Sequence, residues 1–138
     1  MNAKHLSIVI EKGDDEEIAG SISTDDFLLT TVANMEEEVI QNLKMLIADF
    51  IQHEGQESSS WKNVKVDDIE YSIEYDLTTL FQIFDALKIS AVAKLAGINS
   101  GLMRQYASGT KNASAKQARK IEDAVRALGM RLTQVSIK

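Results

Sequence analysis

Two hydrophobic periods meet at Asp76, and one type of secondary structure cannot satisfy both. Upstream, Ile69, Tyr71, Ile73 and Tyr75 alternate with Glu70, Ser72 and Glu74, the two-residue repeat of a strand with one wet face. Downstream, Leu77, Leu80, Phe81, Phe84 and Leu87 recur at helical spacing, the stripe of an amphipathic helix. Charge divides at the same point. Residues 1–76 carry five lysines against eighteen carboxylates, a balance of −13. Residues 77–138 carry ten lysines and arginines against Asp85, Glu122 and Asp123, a balance of +7. The net charge of −6 is the sum of these opposed values. A chain of 138 residues has room for two very small domains, and this partition gives each a different electrostatic task. Opposite signs also let the halves attract each other.

The upstream domain, residues 1–76, reads β-β-β-α-β. Leu6, Ile8 and Ile10 alternate in a first strand that runs into the turn-forming Gly13, Asp14 and Asp15. Residues 17–22 make a second strand, paired with the first as a hairpin, and residues 27–32 a third. Asn34 is placed as a helix N-cap, with Glu37 three residues on and Glu36 to Glu38 at the helix's positive end. Val39, Ile40, Leu43, Leu46, Ile47, Phe50 and Ile51 give that helix one buried face. Residues 53–60 are polar and predicted to be irregular. Trp61 follows them as a large apolar residue, suited to lid the core, with a partner-binding anchor as the alternative reading. Residues 68–75 complete a sheet expected to be antiparallel for the most part.

The downstream domain, residues 77–138, is expected to be all-α. Asp76 caps its first helix, Ser90 starts the second, Asn99 or Ser100 the third, and Asn112 or Ser114 the fourth. In the fourth, Ala118, Ile121, Val125 and Leu128 face the core, while Lys116, Arg119, Lys120 and Arg126 lie off that face. Gly109 and Gly129 sit where left-handed caps would end the third and fourth helices. Residues 131–137 are β-like but too short to stand alone, so a short C-terminal strand is expected, pairing with some other segment, a second chain among the candidates.

The stretch VAKLAGINSGLMRQY, residues 92–106, carries the functional reading. Two short helices that touch across a tight turn need buried residues at their contact, and Val92, Ala96, Ile98, Met103 and Tyr106 occupy those places. Close approach needs a small residue midway along the first helix, here Ala93, and the turn needs a left-handed residue, here Gly97. The pattern is that of a DNA-reading helix-turn-helix. Asn99, Ser100, Gly101, Arg104, Gln105 and Ser108 are left facing outward on the second helix. Arg bonds two acceptors on guanine, Gln pairs with adenine, and Ser and Asn serve bases or phosphates. Lys111 and Asn112 in the following loop, and Lys94 on the first helix, are placed to hold the phosphate backbone. Lys116 and Lys120 are weaker candidates for the same role. Leu102 is an apolar residue at an outward-leaning position, suited to a partner surface or a thymine methyl.

Other classes find little support. The absence of cysteine excludes disulfides and thiol chemistry. No apolar run reaches the roughly 18 residues that cross a bilayer, and no signal-like segment opens the chain, so a cytoplasmic protein without membrane contact is expected. His5 and His53 are far apart in sequence. Residues 14–17 (Asp14, Asp15, Glu16 and Glu17) lack the spacing and glycine of a calcium loop. Glu11, Glu17, Glu70 and Glu74 do not converge by any sequence argument. No cofactor, metal or enzymatic activity is expected.

The whole chain resembles the HicB-like antitoxins of bacterial type II toxin–antitoxin systems. Ile8 to Lys12, the hairpin after it, Asn34 to Glu38 at the helix start, and the helix-turn-helix of residues 90–108 carry that resemblance. The downstream part resembles the lambda-repressor/Cro class, in which positions matching Ser100, Arg104 and Gln105 lie in the groove. The resemblance implies a partly RNase H-like acidic domain that covers a small basic RNA-cleaving toxin, HicA, and a second domain that binds the operator and represses the operon. The sequence departs from the family between its second and third strands. A Pro-Gly-Cys-containing segment is usual there, whereas this chain has Ser23, Thr24, Asp25, Asp26 and Phe27. One recognition helix reads about 4–5 base pairs, so a homo-oligomer on two half-sites of double-stranded DNA is expected. A stand-alone DNA-binding regulator without a toxin, and a protein-interaction module that binds no DNA, are the alternative readings.

Overall fold

The computed structural model describes residues 4–12 and 16–138, which build one four-stranded mixed sheet and five α-helices. The turn expected at Gly13, Asp14 and Asp15 lies outside the described residues. The chain divides into two compact units, Met1–Asp76 and Leu77–Lys138.

The first unit holds β1 (Lys4–Lys12), β2 (Ile18–Ser23), β3 (Leu28–Ala33), α1 (Glu36–Gln52) and β4 (Ile69–Tyr75). The strands lie in the order β3-β2-β1-β4. β1 with β2 and β2 with β3 are antiparallel, but β4 runs parallel to β1 in the register Ile8↔Ile73 and Ile10↔Tyr75. The expectation of an antiparallel sheet is therefore corrected to a mixed one. The reason is the connection. A parallel neighbour needs a crossover, and α1 carries the chain from the β3 edge to the far side of β1. Alternation along residues 69–75 reports which side of the strand is apolar and is blind to its direction.

Among the described residues of this unit, α1 covers one face of the sheet. Leu6, Ile8, Ile10 and Ile22 are buried against Val39, Leu43 and Ile47 of α1. Gly20 on β2 lets the helix sit close, since a Cβ there would fall 2.3 Å from Val39 Cγ1. Trp61 closes one end of this core with 2 % of its surface exposed. Its ring packs 5.4 Å from Phe27 and edge-on to Phe50 at 5.5 Å, and its Nε1 donates to Asp26 Oδ2 at 2.9 Å. The partner-anchor reading of Trp61 gives way to the lid reading. Residues 54–57, expected to be irregular, form one 3-10 turn that lays Gly55 into the core beneath Trp61.

Asn34 is not the N-cap. α1 starts one residue later than that would require, with Met35 as its cap and no side-chain cap bond. The start is fixed elsewhere, by the Tyr75 hydroxyl donating to Glu36 and by the Val39 amide bonding Met35 O. Burial and the Glu36 carboxylate push the Tyr75 hydroxyl's pKa upward, and burial alone does the same to Tyr71.

The second unit holds α2 (Leu77–Ile83), α3 (Ile89–Ala96), α4 (Ser100–Ser108) and α5 (Ala115–Leu132). Its core is Phe81, Val92, Ala93, Ile98, Met103, Tyr106 and Ile121, with Leu102, Ala96 and Val125 partly buried against it. Four expectations fail here. Phe84 is exposed, because α2 ends at Ile83 before its stripe is complete. Ala118 is exposed, and Leu128 is only half-buried, so α5 touches this core chiefly through Ile121. Gly129 does not cap α5. The helix passes through it, the Thr133 amide bonding Gly129 O at 3.1 Å, because Met130, Arg131 and Leu132 continue the i→i−4 ladder. The C-terminal strand expected at residues 131–137 is accordingly not formed. A helix satisfies its own backbone, whereas a lone strand does not. Among the described residues no helix is long and apolar enough to cross a membrane.

Candidate nucleic-acid interface

The turn between α3 and α4 is three residues long, and each has a separate task. Gly97 takes the left-handed conformation, φ 70° and ψ 35°, which costs a side-chain-bearing residue steric strain. Its amide bonds Lys94 O at 3.3 Å, and the next amide, Ile98, reaches back to Ala93 O at 2.9 Å. These two bonds make a Schellman cap. Its usual apolar contact is present as well, since Ile98 and Ala93 share the buried cluster. Asn99 then caps α4, its Oδ1 accepting from the amides of Gly101 at 2.8 Å and Leu102 at 3.2 Å. The relative direction of α3 and α4 is thus fixed by backbone bonds and by one buried isoleucine.

Met103 and Tyr106 point inward from α4, at 0 % and 7 % exposure. Ser100, Gly101, Arg104, Gln105 and Ser108 share the opposite face by helical geometry. Gly101, Arg104 and Ser108 are exposed there, while Ser100 and Gln105 are half-buried. Lys94, Lys111 and Asn112 are exposed as well. Among the described residues, Arg104, Lys94 and Lys111 take part in no ion pair. The sequence-derived residues of α4 therefore share one face, and Lys94, Lys111 and Asn112 are exposed on the segments before and after it, with two refinements of role. Asn99 spends its carbonyl oxygen on the cap, which leaves its amide NH2 to offer a ligand. Ser108 bonds Gln105 O at 3.2 Å and the Thr110 hydroxyl at 2.8 Å, so it builds the corner that presents Lys111. That corner turns on Gly109, at φ 84°, and the Lys111 amide also bonds Gln105 O at 3.2 Å. Leu102 is half-buried against the core and is not the outward-leaning residue expected.

A feature that residue-by-residue reading passes over is the composition of the whole stretch. Residues 86–121 contain no Asp or Glu, and they contain seven lysines and arginines. The helical unit's carboxylates are confined to Asp85, Glu122 and Asp123. Two of these lie on α5, where Glu122 pairs with Arg126 at 3.2 Å and Asp123 with Arg119 at 3.8 Å. A stretch that carries positive charge and no carboxylate of its own suits a polyanion.

The acidic residues of the first unit give a different picture. Glu11, Glu70 and Glu74 are exposed on the sheet's uncovered face. Among the described residues no three His, Asp or Glu side chains form a group able to hold a metal. His5 bonds Ser72 Oγ at 3.1 Å, and His53 pairs with Asp49 on the same helix end at 3.2 Å. The chain matches no protein-family profile, no curated protein and no solved structure.

Proposed function

We propose that this chain is a sequence-specific DNA-binding protein, a HicB-like antitoxin in the cytoplasm that represses its own operon and neutralises a small basic toxin through its acidic unit. The observation that carries the DNA half is the outward face of α4, set by the Gly97 turn and the Asn99 cap, within a carboxylate-free stretch. In this reading α4 enters the major groove. Arg104 and Gln105 read base edges, and Lys94, Lys111 and Asn112 hold phosphates. Two copies bind half-sites about one helical turn apart.

The antitoxin half is supported by the strand order β3-β2-β1-β4 with β4 parallel to β1, the arrangement that a partly RNase H-like domain requires. The departure at residues 23–27 has a local substitute. The Thr24 hydroxyl accepts from the amides of Asp26 and Phe27, closing the β2–β3 turn without Pro or Gly. Asp26 in turn anchors Trp61.

The test contrasts two substitutions on duplex DNA taken from upstream of the chain's own gene. Arg104→Ala is expected to cost about 1–3 kcal/mol of specific binding and to relax one base position. Lys111→Ala is expected to weaken all sequences alike and to flatten the salt dependence by about one unit. Unchanged operator affinity in the Arg104 variant would remove α4 from the groove. Co-purification with a small basic protein encoded by the adjacent gene tests the antitoxin half separately.

A further inference from the structure

The sheet has two edges, and they are protected very differently. β4 ends the sheet on one side and carries Glu70 and Glu74 on its outer face, charges of the kind that keep a sheet edge from pairing with another chain. β3 ends it on the other side with Leu28, Leu29, Thr30, Thr31, Val32 and Ala33. That strand has no charge and no proline, and among the described residues it has no partner strand beyond β2. Residues 27–35 are all uncharged, in a unit whose balance is −13. Leu28 and Val32 are exposed at 67 % and 53 %.

The helix above adds to the same side. Asn42 of α1 bonds Thr31 on β3 at 3.3 Å, while Lys44 lies over the Tyr71 ring on β4 at 5.1 Å. These two contacts fix which flank of α1 overhangs which edge. The β3 flank holds Met35, Met45 and Leu46, exposed at 53 %, 68 % and 37 %. Most of the exposed large apolar side chains of the first unit thus gather along one edge.

We propose that β3 pairs with β3 of a second copy of this chain, antiparallel about Thr30, to make one continuous eight-stranded sheet. Self-complementarity selects this occupant. In a register centred on Thr30, Leu28 faces Val32 of the other copy on the uncovered side, and Leu29 faces Thr31 on the α1 side. Every side chain therefore keeps its face, as a correct register must. The two α1 helices come to the same side of the joined sheet, where Met35 and Met45 are flexible enough to fill the space between them. Five paired residues from each copy and these side chains bury on the order of 1,000 Å² in total, the size at which a specific interface begins. Elsewhere on their surfaces two copies of the first unit repel, because each carries a balance of −13. The neutral edge is where they can meet. This surface is separate from α4 and does not depend on the DNA-binding reading.

The chain has no cysteine, so single thiols report the contact without background. Thr30→Cys places two sulfurs opposite each other across the two-fold axis, with the Cα separation of about 4.5–5.5 Å found for directly opposed residues, within disulfide range. Mild oxidation of the full-length variant is expected to give a covalent dimer, while Glu70→Cys on the other edge stays monomeric. Val32→Lys, at an exposed position, is expected to weaken this association at least tenfold in sedimentation while leaving circular dichroism unchanged. Association through β3 strengthens as salt screens the like-charged units, the opposite of DNA binding. A Thr30→Cys variant that cross-links no faster than Glu70→Cys overturns the proposal. So does one that cross-links to a co-expressed basic protein in place of itself, which would make β3 a site for a strand donated by that partner.

Discussion

The first unit buries large side chains under a single helix and leaves one face of its sheet open; the second has a seven-residue core and holds its shape with caps. In the first, Trp61, Phe27 and Phe50 interlock, and α1 is pressed onto β2 at Gly20. Among the described residues its carboxylates are exposed or half-buried, and Asp26, Glu36, Asp49 and Asp68 bond within the unit. In the second, the decisive contacts are helix caps, made by backbone bonds at Gly97 and Gly109 and by side-chain oxygens at Asn99 and Ser114. From residue 86 to residue 121 its sequence carries seven positive charges and no carboxylate. The difference teaches where precision is needed. A surface that reads base edges must hold one helix in a defined direction, and short-range caps achieve that with little core. An acidic face meeting a partner needs shape and charge over a wider area.

That contrast can be broken first at the cores. Trp61→Ala removes the aromatic lid and the Asp26 bond and is expected to lower the stability of the first unit by about 3–5 kcal/mol. Met103→Ala, at a fully buried position, is expected to lower that of the second by about 2–5 kcal/mol. Trp61 is the chain's one tryptophan, so its fluorescence reports the first unit. In the Met103 variant helical signal should be lost before Trp61 changes. Coincident loss in denaturant titrations would show one cooperative structure in place of two.

A smaller effect sharpens the role of the cap. Asn99→Ala removes the acceptor for two amides and is expected to cost about 1 kcal/mol of stability. Its effect on DNA affinity should be larger than that, because α4 loses its fixed direction as well as a polar contact. Asn99→Ser, which restores an acceptor, should recover stability and part of the binding. Equal losses in stability and affinity for the Ala variant would leave the cap a purely structural feature.

The smallest expected effect is a pH dependence. Burial and Glu36 raise the Tyr75 pKa in the folded chain, so the neutral hydroxyl is favoured by folding. Stability from this group is fully present below the ordinary tyrosine value of about 10 and is lost as pH rises through the elevated folded value. Tyr71 contributes in the same direction through burial alone. Tyr75→Phe should therefore be less sensitive than the parent between about pH 10 and 12 when denaturant midpoints are followed. An identical alkaline slope in both would remove Tyr75 from the account.

Features set by a residue and its near neighbours were legible in the sequence. Gly97 and Gly109 announce left-handed turns because few other residues adopt them, and both take that conformation. The alternation of Leu6, Ile8 and Ile10 announces a buried face, and all three are buried. The change of period at Asp76 falls where the two compact units divide. What was not legible depends on distant partners. The parallel direction of β4 is set by the path of α1. The start of α1 is set by Tyr75, far along the chain, which is why Asn34 looks like a cap and is not one. Gly129 resembles Gly109 locally, yet the residues after it carry the helix onward. Within the candidate site, the outward position of Arg104 was legible from spacing, whereas the engagement of Ser108 in the corner and the partial burial of Leu102 were not.

The central claim is that the helical unit reads DNA through its carboxylate-free stretch, residues 86–121. It is tested most directly by titrating the full chain against duplex DNA from upstream of its own gene and against a shuffled duplex, at several salt concentrations. The account predicts that both affinities fall as salt rises, with a slope set by the phosphates contacted, and that the preference for the upstream sequence survives at every concentration. Equal affinity for the two duplexes, or no binding to either at low salt, would contradict it.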